Sequence, residues 1–288
     1  IRIGAGTHTL ASPATFGPSV HASEVLLVGS GEGAVLMAAD DVDTTQPLLT
    51  LQAGTPRIRL ENLQIEGTIL VEGGQLELVN CTMAGPLHAA SSRYSSVGMI
   101  TGRRLQSGVS SNDDLFSRNS TDLSGVGDDD DPSGVDDDFG IGTDSDGSLH
   151  AADHINGSYN ASMEGMPALL ISGESSDVVV RHTSIEGFTS GGVVLSSGSL
   201  ALLSSELRAN RASVGAALRV LGGYAFVNES QFEDNVAQQS GGAMHVSGGT
   251  VELAHRTLLR NNEAPSGSAV QYNAGWLSYA LPTPLGRW

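Results

Sequence analysis

The sequence predicts an all-β fold, specifically a parallel β-helix: a solenoid of ~22–27-residue coils carrying one long acidic inserted loop. Three observations predict it. A loose repeat recurs about every 25 residues, apolar residues within it are spaced by two, and glycine interrupts every apolar run. Composition agrees: 37 glycines and 5% aromatics suit many short strands and tight turns better than helices.

The repeat is clearest in "SSELRANRAS", "ESQFEDNVAQ" and "HRTLLRNNEA". Each has a hydroxyl residue, an apolar residue two further on, and Asn three beyond that. These are Ser205-Leu207-Asn210, Ser230-Phe232-Asn235 and Thr257-Leu259-Asn262, with Asn spacings of 25 and 27. A small-residue element follows each: Gly215-Ala216-Ala217, Gly241-Gly242-Ala243 and Gly267-Ser268-Ala269. Gly191-Gly192-Val193 stands 24 residues before the first of them, and Thr183 and Ile185 fill the hydroxyl and apolar slots of a weaker copy.

Helical solenoids would show apolar faces at 3.6-residue spacing, which this chain lacks. One coil of short strands cannot bury its own apolar face, so neighbours must stack at about 4.8 Å and bring like residues into columns. Leu207, Phe232 and Leu259 are expected in one inward column, and Asn210, Asn235 and Asn262 in another at a corner. A corner leaves backbone amides unmatched, and a carboxamide offers both donors and an acceptor to satisfy them. The asparagines are therefore read as scaffold.

Residues 1–85 read as N-terminal coils of the same solenoid, three or four in number, with Ile65 and Met83 in the slot later filled by Leu207. Residues 86–165 break the pattern: thirteen Asp and one Glu face four Arg, with few large apolar groups and no periodicity. Such a segment buries too little to offset ordering entropy and is expected to be a flexible insertion. Clustered Asp suggests weak Ca²⁺ association, although Asp144, Asp146 and Gly147 lack the closing Glu of an EF-hand loop. Coils resume over 166–275. The segment 276–288 is expected to leave in extended form, because Pro282 and Pro284 remove ladder donors.

The net charge is −18, and all 14 basic residues are Arg. No basic stripe is present, so no nucleic-acid partner is expected. No apolar run approaches the ~18 residues of a membrane span. Cys81, the single cysteine, cannot form an internal disulfide.

The Phe232-x-x-Asn235 and Gly241-Gly242-Ala243-Met244 elements resemble the repeat of bacterial polymorphic outer membrane proteins. Similar repeats occur in surface proteins of algae and other protists within the pectin-lyase-like superfamily. The match covers roughly residues 180–275, with Leu207 and Leu259 in place of Phe and Gly215-Ala216 in place of Gly-Gly. The resemblance implies a right-handed β-helix acting as an extracellular, often adhesive, surface. Neighbouring domains, further copies and glycans are the partners it suggests. Five sequons, at Asn80, Asn119, Asn156, Asn160 and Asn228, add to the expectation of an exported, glycosylated protein.

Catalysis is the competing reading. β-Helix hydrolases need paired carboxylates on one face, and Asp40, Asp41 and Asp43 form the nearest such cluster, within a stretch that reads as a turn. Arg181 with His182 suggests a basic pair for a lyase, but on a solvated strand face; His245 and His255 lack partners at metal-ligand spacing. The expectation is no enzyme, no cofactor and no catalytic residue, with a divergent carbohydrate-active β-helix as the alternative.

Overall fold

The computed structural model describes residues 1–19, 22–30, 33–39, 46–85 and 165–279. The acidic stretch 86–164, the Asp40–Asp43 cluster, the sequons Asn119, Asn156 and Asn160, and the tail from 280 lie outside the described residues. The described part is all-β, with parallel strands in stacked sheets of nine, eight, eight and two strands. The arrangement is consistent with a parallel β-helix or solenoid. The chain visits the three large sheets in fixed rotation. One turn of that rotation is Ser199–Leu203 in the first sheet, Glu206–Arg208 in the second and Leu218–Val220 in the third.

Alternation along each strand sends one side chain inward and the next outward. In the first sheet, Leu200 and Leu202 point in, stacked between Val178 and Val180 on one side and Ala225 and Val227 on the other. In the second, Ile65, Met83, Ile185, Leu207, Phe232 and Leu259 fall on one another in register. All but Leu259 are fully buried, and Leu259 packs partly buried against the same core. Each such side chain removed from water contributes about 1.5–3 kcal/mol, an amount that exists only because a rung lies above and below.

Rung length varies more than the repeat suggests. Asn62 and Asn80 are equivalent at a separation of 18 residues, whereas Val25 pairs with Ile58 across 33. The difference is absorbed at corners. After Asn210 and Asn235 the chain inserts short strands, Arg211–Val214 and Val236–Ser240, which pair with each other as the two-stranded sheet. Gly74–Val79 pairs along its whole length with Ser176–Arg181, so the stack closes directly across the long insertion.

Two expectations are corrected. The first sheet does not end at 275: Trp276–Tyr279 pairs with Thr250–Leu253, because Trp276 to Tyr279 still carry donors and alternate in the usual way. The Gly191 alignment shifts by one, since Val193 pairs with Leu218 and the Gly192 amide donates to the Ala216 carbonyl. Gly191 therefore lies against Ala216, and the 25-residue rung here exceeds the 24 read from sequence.

Candidate functional site

The densest side-chain chemistry is at the two corners flanking the second sheet. The first corner, between the first and second sheets, has a residue in the left-handed region on successive rungs: Asn62, Asn80, His182, Ser204, Glu229 and Arg256, with φ between 47° and 58°. Such a conformation costs a non-glycine residue about 1–2 kcal/mol. The following slot offsets that cost through hydrogen bonds. It holds Cys81, Thr183, Ser205, Ser230 and Thr257, all buried. Ser205 Oγ donates to the Leu203 carbonyl at 2.9 Å, and the Ser205 amide donates to Ser230 Oγ at 3.2 Å. The Thr183 amide donates likewise to Ser205 Oγ, and the Cys81 amide to Thr183 Oγ1, both at 3.3 Å. Cys81 stands in for a hydroxyl residue, its thiol directed at the Val79 and Leu60 carbonyls. Burial raises the thiol pKa above its ordinary value.

The second corner places Asn210, Asn235 and Asn262 in one column. Asn210 Nδ2 donates to the Ile185 carbonyl at 3.0 Å and to Asn235 Oδ1 at 3.1 Å. Asn235 Nδ2 donates to the Leu207 carbonyl and to Asn262 Oδ1, both at 2.9 Å. Each Oδ1 also accepts the backbone amide of the preceding rung: Phe188, Asn210 and Asn235 in turn, all at 3.1 Å. Phe188, buried in the Asn position one rung earlier, ends the ladder. The preceding residues, Ala209, Asp234 and Asn261, are again left-handed.

The outer faces carry ion pairs that sequence reading did not find. On the first sheet the Glu77 carboxylate, 8% exposed, accepts from Arg57 at 2.5 Å and Arg59 at 3.4 Å and pairs with Arg181 at 3.4 Å. Arg57 and Arg59 also pair with Glu24 and Glu61. On the second sheet Glu186, Arg208, Glu233 and Arg260 lie in register. Arg208 bonds Glu186 at 2.5 Å and Arg260 bonds Glu233 at 2.8 Å. Arg181 thus belongs to the Glu77 cluster, and His182, exposed, to the left-handed corner.

His245 lies on the outer side of the third sheet between Arg219 and Gln271. It is 7% exposed, its Nδ1 bonded to Ser240 Oγ at 3.1 Å and its Nε2 facing the Asn273 amide at 3.5 Å. Burial first, and the Arg219 charge second, lower its pKa. His255 is exposed. Among the described residues no group of three or more His, Cys, Asp or Glu is placed to hold a metal ion, and no helix is long and apolar enough to cross a membrane.

The first sheet also presents aromatic side chains outward. Tyr224 pairs with Thr250 and Thr250 with Trp276, so the two rings lie two rungs apart on one column. Trp276 is 67% exposed and Tyr224 41%. The Tyr224 hydroxyl donates to Glu252 at 2.8 Å. Phe226, half-buried, occupies the adjacent column.

Two sequons fall on described rungs. Asn80 is exposed at the first corner and Asn228 is half-buried at the end of a first-sheet strand. Comparison of the chain with family models, with curated proteins and with solved structures gives no match.

Proposed function

We propose that this chain is a structural and adhesive β-helix segment of a larger extracellular or cell-surface protein. The observation that carries the reading is the direction of its side-chain chemistry. The Asn column, the hydroxyl column and the Glu77 and Glu186–Arg260 ion pairs all join one rung to the next. Their donors and carboxylates are thereby engaged in holding the stack together. Right-handed coiling is part of the proposal. It is supported by the parallel crossover between successive strands of each sheet, a connection that is right-handed in about 98% of cases. The repeat resembling that of polymorphic outer membrane proteins, and the five sequons, support export.

The first-sheet face is the proposed contact surface, because flat exposed aromatic rings add apolar area without an energetic cost to the core. Neighbouring copies, domains and glycans are the partners considered. The test is binding of the purified chain to immobilised cell-surface polysaccharides and to itself, with release of reducing ends measured in parallel. Adhesion predicts retention that Tyr224→Ala with Trp276→Ala lowers at least tenfold, without cleavage. Reducing-end release abolished by Asp41→Ala would replace this reading with that of a carbohydrate-active enzyme.

A further inference from the structure

The two sequons of the coils sit in different frames relative to the rung. In Asn228-Glu229-Ser230, Asn228 ends the strand, Glu229 takes the left-handed corner and Ser230 fills the hydroxyl slot. Ser230 is 0% exposed, and its hydroxyl donates to the Asn228 carbonyl at 3.0 Å. Folding therefore withdraws the hydroxyl that the modifying enzyme must read. In Asn80-Cys81-Thr82 the frame is advanced by one residue. Asn80 takes the corner, with φ 52°, and Cys81 fills the buried slot. Thr82, half-buried beside the fully buried Met83, lines the same surface depression as Asn80.

The surroundings of Asn80 suit a bulky substituent. Asn80 and Thr82 both line an open surface depression of about 480 Å³, together with Gly29, Gly33, Asn62 and Gln64. The Asn80 carboxamide donates one Nδ2 hydrogen to Asn62 Oδ1 at 2.6 Å. N-glycosylation replaces one amide hydrogen with the C1–N bond to the sugar and leaves the other. The bond to Asn62 can thus persist and hold the linkage in a fixed direction. The ladder residues Asn210 and Asn235 contrast with this, because each donates Nδ2 both to a backbone carbonyl and to the next Asn.

We propose that Asn80 carries an N-linked oligosaccharide whose first sugar lies over the depression bounded by Asn62, Gln64 and Thr82. The sugar is transferred from a lipid-linked diphosphate donor, with the Asn80 amide nitrogen displacing the diphosphate and losing one proton. The proposal rests on the export reading above. The test is glycopeptide mapping of the full chain routed through a eukaryotic secretory pathway, together with the Asn80→Gln and Thr82→Ala variants. The expected result is an occupied Asn80 in most molecules and the loss of one glycan, with folding retained, in both variants. An Asn80 left bare overturns the proposal, whatever the state of Asn228. A native protein bare at all five sequons, alongside an occupied Asn80 in the routed chain, would instead overturn the export reading.

Discussion

At Asn235 four side-chain hydrogen bonds converge on one carboxamide that is inaccessible to solvent. Asn235→Ala leaves the buried Asn210 amide without a partner, at about 1–3 kcal/mol, and removes the donations to the Leu207 carbonyl and to Asn262 Oδ1, each worth about 1 kcal/mol, while the Leu207 carbonyl keeps its ladder bond to the next rung. The urea midpoint is expected to fall by the equivalent of about 3–5 kcal/mol, and Asn235→Asp is expected to recover little of it, because a carboxylate lacks the donors. Cys81 permits a milder test. Its buried thiol should resist alkylation in the native protein and react in urea, and Cys81→Ser should fall within ~1 kcal/mol of the parent, since Ser205 and Ser230 occupy the same slot. The asparagine and apolar positions were legible in the sequence because identical or similar side chains recur at each rung. Cys81 was not, since a thiol standing in for a hydroxyl breaks the pattern that would reveal it. The Glu77 cluster was equally hidden: its partners come from positions 18 to 104 residues away, and only the register of the strands brings them together.

Among the elements, the small-residue segments leading into the third sheet show why glycine recurs there. Gly241 has φ 67°, and a Cβ on it would approach the Met244 carbonyl oxygen to 2.5 Å and the His245 Cβ to 2.8 Å. Gly241→Ala is expected to cost more than ~2 kcal/mol, combining left-handed strain with a backbone clash. A lowered melting temperature measures it, with Gly→Ala at Gly33 unsuited as a control because φ is positive there too; Gly4, whose φ is not positive and beside which an added Cβ meets nothing, serves instead. The strand Met244–Val246 also supplies a pH dependence. The groups facing His245 are Arg219, Gln271, Ser240 and Asn273, none of them an acid. Its folded pKa lies below the unfolded value of about 6.5. The unfolded chain therefore binds more protons in that interval, so this contribution is complete above about pH 6.5 and declines as pH falls. Thermal melts from pH 7.5 to 5 should show a loss in the parent that His245→Gln reduces. The one-residue error at Gly191 has the same origin as this tight packing: glycine pairs look alike in sequence, and only hydrogen bonds distinguish which glycine meets which rung.

For the whole molecule, the decisive junction is that between Gly74–Val79 and Ser176–Arg181, joined by six register pairs across the acidic insertion. The strands on either side of the insertion thus pair directly with each other. Replacing residues 90–160 by a short Gly/Ser linker should leave the melting temperature within about 2 °C, the shift that ~1 kcal/mol produces in a domain of this size. A larger fall would mean that the insertion packs on the coils. The all-β architecture of stacked parallel strands was legible because stacking imposes its period on the sequence. The spread of rung lengths was less so, because corner segments lie outside the repeating ladders and obey no common pattern.

That spread has a further consequence. A rung of 18 residues and one of 33 advance the stack by the same step, since the step is set by backbone pairing and not by how much chain is spent reaching it. Corners can thus gain or lose sequence in the way a spiral staircase can acquire balconies, with every tread still at its proper level. Evolution, or an engineer, is free to vary what projects sideways while the vertical ruler stays calibrated.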